Sequence, residues 1–326
     1  MRNARLWHAP PMTDVGDPVQ LSAADEKAHP PGPERLWGES WYFDFTDRAG
    51  TLGGYVRLGL YPNLGVAWYW ACLVGEGRPL VTVIDHEVPL PKTPSLEVRH
   101  DGLWADHTVE TPFEHMTLGC EAFAVAVDDA AEVYGDLRGD RVPFGLDLEW
   151  ETDGATYPWI GTTRYEVPCT VHGEVLVGDE TIAFDGVGQR DHSWGVRDWW
   201  SLGWVWTAGG LDDGTRFHTT RLRIPGLEAF APGYVQPPGG TPEQIDVCAA
   251  EEELGGAGFP TSASVTCGPL VMSIEPVAFS PVHLVDQDGD TRRVARFPRA
   301  LCRFETADGR SGVGWTEWNQ PEPATT

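Results

Sequence analysis

The segment Gly188-Gln189-Arg190-Asp191-His192-Ser193-Trp194-Gly195-Val196-Arg197-Asp198-Trp199-Trp200 packs two arginines, two aspartates, one histidine and three tryptophans into thirteen residues. A plain core strand has no use for this mixture, because buried charges need partners. Two roles fit it. In one, Asp and Arg pair to hold a corner. In the other, a carboxylic acid sits in an aromatic setting. Desolvation raises a carboxyl pKa, so such an acid keeps its proton near neutral pH and can donate it. Asp191 is the candidate acid. His192 adjoins it, but neighbours on an extended strand point to opposite faces, so the two need a bend to act together.

Other chemistries fit less well. Asp85-His86, Asp106-His107 and Glu114-His115 are acid–histidine neighbours, yet the paired HxH or HxxxH spacings of a zinc site are missing. No metal is expected. Asp191-His192-Ser193-Trp194-Gly195 lacks the first glycine of a nucleophile elbow. With no Walker loop and no GxGxxG between a strand and a helix, no nucleotide or other cofactor is expected.

The elements that must position these residues read as strands and turns. Phe144, Leu146, Leu148 and Trp150 alternate with Gly145, Asp147 and Glu149 at a period of two. Phe123, Val125 and Val127 alternate against alanines. Val66 to Val74 is a continuous apolar run, suited to a strand buried on both faces. Asp-Gly pairs at 101–102, 153–154, 185–186, 213–214, 288–289 and 308–309 predict tight turns. The proline-rich residues 1–34 read as a tail, with a short helix possible over Val19 to Ala28. Regular strand spacing predicts an all-β sandwich or barrel architecture.

Composition sets limits. The 326 residues suggest two domains. A net charge of −26 argues against nucleic-acid backbones and anionic membrane surfaces. No run of about 18 apolar residues is present, so stable membrane insertion is not expected. Met1 to Gln20 has no apolar signal stretch, and the six cysteines form no CxxC pair. A cytoplasmic protein with reduced, buried thiols is expected. The 15 tryptophans imply a large β core or an apolar ligand cavity.

Three segments carry a family resemblance. Glu39-Ser40-Trp41-Tyr42 resembles the E-x-W-Y opening of the carotenoid 1,2-hydratase (hydroxyneurosporene synthase) and AttH-like superfamily. Asp191-His192-Ser193-Trp194-Gly195 resembles its D-H-x-W motif. Gly312-Val313-Gly314-Trp315-Thr316-Glu317 is similar to its glycine-rich final strand. The chain departs at Ser40, where relatives often carry a second Trp. The resemblance implies two tandem lipocalin-like (calycin) β domains with a ligand cavity near their interface. The layout expected is an N-terminal tail at 1–34, domains at 35–185 and 186–320, and a tail at 321–326.

The resemblance extends to carotenoid hydratases, tocopherol cyclases and fungal pericyclic cyclases, and hydration or cyclisation of an isoprenoid begins by protonating an apolar C=C bond. The expectation is an enzyme needing no cofactor that hydrates, cyclises or isomerises an isoprenoid, steroid-like or polycyclic molecule. Asp191 would be the acid, and His192 would orient it or relay its proton. Trp194, Trp199, Trp204, Trp41 and Tyr42 would line the cavity and stabilise a cation through their ring faces. Arg190 and Arg197 are expected to pair with Asp198 and Glu39. The alternative is a carrier or sensor of a lipophilic ligand.

Overall fold

Alternation of buried and solvent-facing side chains recurs along the chain, and it organises nearly everything into strands. The computed structural model describes residues 20–224 and 230–323. Among them there is no α-helix, only short 3-10 turns such as Ala23–Glu26. The strands of the first sheet are β1 (Trp37–Asp47), β2 (Leu52–Tyr61), β3 (Val66–Gly75), β4 (Leu80–Pro89), β5 (Val98–His100), β6 (Leu103–Thr111), β7 (His115–Val127), β8 (Asp140–Thr152), β9 (Tyr157–Pro158), β10 (Arg164–Val177) and β11 (Glu180–Val196). Those of the second are β12 (Gly203–Leu211), β13 (Arg216–Arg223), β14 (Gly233–Gln236), β15 (Glu243–Gln244), β16 (Cys248–Leu254), β17 (Pro260–Cys267), β18 (Leu270–Phe279), β19 (Val282–Asp288), β20 (Thr291–Phe297), β21 (Arg299–Thr306) and β22 (Ser311–Pro321).

The first sheet runs β4-β3-β2-β1-β11-β10-β8-β7-β6-β5. Pairing of Leu80–Thr82 on β4 with Val125–Val127 on β7 closes it into a barrel, so no open edge remains there. Its interior holds Trp41, Phe43, Phe45, Leu58, Tyr69, Leu148 and Trp150. The second sheet runs β15-β14-β13-β12-β22-β21-β18-β17-β16 and curls over Val205, Phe217, Met272, Phe304 and Trp318. These are the two tandem lipocalin-like units expected.

A third core fills the seam between the sheets. Trp68, Trp70, Trp199, Trp200, Trp206 and Trp315 are buried there with Tyr42, Tyr55 and Phe297, and Trp204 packs against them. β3 supplies one face to the barrel and the other to the seam, which explains its unbroken apolar run. The seam absorbs much of the tryptophan excess.

Several expectations change. The boundary placed at 185/186 falls inside β11, whose partners from end to end are first-sheet strands. The chain passes to the second sheet across 197–202, after the Asp191 motif. Asp185-Gly186 is mid-strand instead of a turn, and a Cβ on Gly186 would meet the Thr46 carbonyl oxygen at 2.1 Å. On β7 the inward positions belong to Ala122 and Ala124, while Phe123 is exposed. The small residues face the packed interior, and the Phe123 ring lies 6.0 Å from the Arg141 guanidinium. Residues 20–34 are no free tail, because Glu26 is buried against the barrel. The helix expected over Val19 to Ala28 is one 3-10 turn. Residues 1–19 and 324–326 lie outside the described residues, and β22 takes in Pro321. All six cysteines are free and buried. No helix among the described residues is long and apolar enough to cross a membrane.

Candidate active site

The two sequence motifs are neighbours in space. β1 and β11 pair antiparallel with Ser40 opposite Ser193, Trp41 opposite His192 and Tyr42 opposite Asp191. Side chains alternate across this pair. Trp41, Arg190, His192 and Trp194 therefore face the barrel, and Tyr42, Asp191 and Ser193 face the seam. No bend intervenes, so Asp191 and His192 do not meet. Gly195, still paired with Gly38 on β1, has φ 122, a conformation that favours glycine.

On the barrel side, Nε2 of His192 lies 2.8 Å from Oε1 of Glu39, and Nδ1 lies 2.8 Å from the Asp25 carbonyl oxygen. Nδ1 of His29 approaches the same Glu39 oxygen at 2.7 Å. Trp41 stacks on His192 at 4.3 Å and Trp194 on His29 at 3.9 Å. Glu26 accepts from Arg190 at 2.9 Å, from the Tyr165 hydroxyl at 2.7 Å and from the Phe113 amide at 2.7 Å. Burial pushes the Glu26 carboxyl up, but Arg190 and these hydrogen bonds outweigh it and hold the pKa below its ordinary value. His29, Glu39 and His192 offer ligand-type atoms within 4.8 Å of one another. Their direct contacts are hydrogen bonds, closer than two donors on a shared zinc ion with bonds of about 2.0–2.2 Å would sit. They read as a latch that ties residues 25–29 to the barrel.

On the seam side, Arg164 donates to Asp191 at 2.7 Å and to Glu166 at 2.7 Å. Glu166 also accepts from Gln189 at 3.1 Å, Trp159 at 3.2 Å and Trp206 at 3.4 Å. Asp191 is 6% exposed. Burial lifts its carboxyl pKa to about 6; Glu166 adds to the lift, while Arg164, Arg197 and Arg57 oppose it. An acid in that range exchanges its proton near neutral pH. Burial also raises Asp44 and Glu317, the latter bonded to Arg299.

The expected ion pairs are replaced. Arg190 pairs with Glu26, a residue in the segment read as tail. Arg197 donates to the Ser193 hydroxyl at 2.7 Å. Asp198 pairs with Arg293 at 2.8 Å, and Glu39 belongs to the two histidines. Alternation explains the change: Arg190 faces away from the side where Arg197 and Asp198 lie.

The aromatic residues divide the same way. Trp41 and Trp194 belong to the barrel, whereas Tyr42, Trp199 and Trp204 belong to the seam. The Trp199 ring is already faced by cations, Arg57 at 5.0 Å and Arg197 at 5.4 Å. The cleft here measures about 50 Å3 and is lined by Ser40, Arg57, Tyr61, Thr163, Ser193 and Arg197, with Trp194 at its edge. It is polar, not the aromatic cavity expected. A larger hollow of about 800 Å3 borders Trp104, Phe123 and Leu176 and shares none of these residues. Arg57, Arg164 and Glu166 went unnoticed in the sequence. Arg57 stands on β2 and Arg164 and Glu166 on β10, far in sequence from the Asp191 motif, and only register brings Glu166 opposite Asp191.

A family model described as a domain of unknown function, DUF7064, matches residues 22–322. The chain belongs to the DUF7064 family. This DUF7064 protein matches no curated protein by sequence. Its fold is similar to that of an AttH-like protein from Nitrosomonas europaea, with TM-score 0.62, 13% identity, and 93% of this chain and 97% of that one covered. It is similar to kievitone hydratase from Nectria haematococca, with TM-score 0.58, 12% identity and 93% of each chain covered. CghA with Sch210972 aligns at TM-score 0.55 and 10% identity over 91% of this chain and 94% of its own. At these identities the likeness is one of fold.

Proposed function

We propose that this DUF7064 protein is an enzyme that hydrates, cyclises or isomerises a hydrophobic small molecule, with Asp191 as its acid. The observation that carries this reading is the Asp191 carboxyl, raised to about 6 by burial in an aromatic seam although Arg164 is bonded to it. In the first step the carboxyl proton passes to an alkene carbon, leaving a carbocation and the Asp191 carboxylate. In a hydration, water adds to that cation and returns a proton to the carboxylate, which restores the acid. Tyr42, Trp199 and Trp204 stand on the same side. His192 takes no part in the transfer, since its ring faces the barrel and Glu39. Among proteins of this fold, one is named a hydratase and another was solved with Sch210972, which supports small-molecule chemistry.

A carrier is the second reading, favoured by the Arg164–Asp191 ion pair itself. Native mass spectrometry of the expressed protein, with organic extraction of what co-purifies, separates the two. The enzyme reading expects wild type to carry a product and Asp191→Asn to carry its precursor. The same unaltered molecule in both would make the protein a carrier.

A further inference from the structure

Three arginines converge near Asp191: Arg57 on β2, Arg164 on β10 and Arg197 just after β11. Arg164 is matched by Asp191 and Glu166. Arg57 is not. It is 5% exposed, its Nη2 donates to the Tyr61 hydroxyl oxygen at 3.2 Å, and its Nη1 is buried with no partner among the described residues. Gly59 accommodates this guanidinium, since a Cβ there would lie 2.4 Å from Nη1. A buried donor without an acceptor is costly, more so when it is charged.

Arg197 repeats the pattern. It donates to a neutral hydroxyl, Ser193, and lies over Trp199. Burial and the charges of Arg164 and Arg57 reduce its hold on its proton, to about 10. Three guanidinium groups thus face only two acidic side chains, Asp191 and Glu166. Tyr61 accepts from both Arg57 and Trp199, so its own hydroxyl proton is left to point elsewhere. Arg57, Tyr61, Arg197, Ser40 and Ser193 all line one cleft.

We infer that this cleft is an anion-binding site that takes the carboxylate of an otherwise apolar ligand. Its volume of about 50 Å3 is room for a group of a few heavy atoms, given about 10–15 Å3 for one water on that measure. Val196 and Trp194 border the cleft, and Val196 is 52% exposed. They give the apolar body of the ligand a surface outside it. A planar carboxylate suits a guanidinium fork better than a neutral oxygen does, because the bonds are charge-assisted. The inference gives the enzyme a substrate class, hydrophobic carboxylic acids, and rests on the proposed function only in calling the ligand a substrate.

Isothermal titration near neutral pH and low ionic strength tests the site with phenylbutyrate and its neutral amide, phenylbutanamide. Wild type is expected to prefer the carboxylate by about tenfold or more, a charge-assisted margin. Arg57→Gln and Arg197→Gln should each remove most of that preference. Arg197 is the less buried of the two, so a folding defect in the first leaves the second to decide. Arg48→Gln, at a 63% exposed side chain, should change nothing. Equal affinity for both probes, no binding of the carboxylate, or a preference that survives both substitutions overturns the inference. Phenylbutyrate offers no isolated alkene, so its binding reports on the site alone. Precursor accumulation in Asp191→Asn reports on the acid alone.

Discussion

Burial raises the Asp191 carboxyl above its ordinary value against the pull of three arginines, and that balance has a measurable cost. Its folded pKa of about 6 lies above the ordinary 3.8. The folded state therefore binds the proton more tightly, and the stability this confers is present at low pH and lost as pH rises toward and through 6. From about pH 4.5 to about 7.5 wild type should lose about 2 kcal/mol relative to Asp191→Asn, read from urea denaturation at each pH. A pH-independent difference would show that the carboxyl is ionised throughout. Asp191 was legible in the sequence because charge and tryptophan crowd its motif. Its real partner, Arg164, was not, because it stands on another strand, β10, and meets Asp191 only through the folding of the sheet. His192 was read as orienting Asp191 or relaying its proton, whereas the period of two turns it to the opposite face, against Glu39.

Strand β11 and the segment before β1 show what an element adds. The alternation of β8 was readable because large apolar and polar residues take turns. On β7 the inward alanines hid the pattern, since small residues carry little signal beside an exposed Phe123. Residues 20–34 looked like a tail because proline breaks regular elements. Burial of Glu26 against Arg190, with the His29–Glu39–His192 latch beside it, shows that a proline-rich segment can still be anchored by side-chain contacts. Glu26→Ala leaves Arg190 buried without its partner and should cost about 3–5 kcal/mol in thermal or chemical denaturation. Glu26→Gln, which can still accept from the Phe113 amide, should cost less. The Glu26 pKa lies below its ordinary 4.5, so this contribution is present above pH 4.5 and fades as pH falls through the lower folded value. Equal, negligible effects of both substitutions would mean that the segment is not anchored through Glu26.

The two sheets are joined by more than the connection at 197–202. Trp315 donates across the seam to the Phe45 carbonyl at 3.2 Å, Tyr55 to the Ser280 carbonyl at 3.1 Å, and Arg216 to Asp153 at 2.7 Å. With the aromatic seam core, these contacts predict one calorimetric unfolding transition for the whole chain, whereas two resolved transitions would mean independent units. The two-unit β architecture was legible from strand spacing and the motif resemblance. The handover point was not, because β11 runs unbroken through the Asp-Gly pair that looked like a turn. Since the seam exists only where both sheets meet, its acid belongs to the assembled molecule. The most direct test is a carboxyl-carbon NMR titration of Asp191 in the intact protein, assigned by its loss in Asp191→Asn. The midpoint should fall near 6, as the buried acid requires. A midpoint at or below the ordinary 3.8 would mean that Arg164 holds a permanent carboxylate there, and the proposed proton donor would be contradicted.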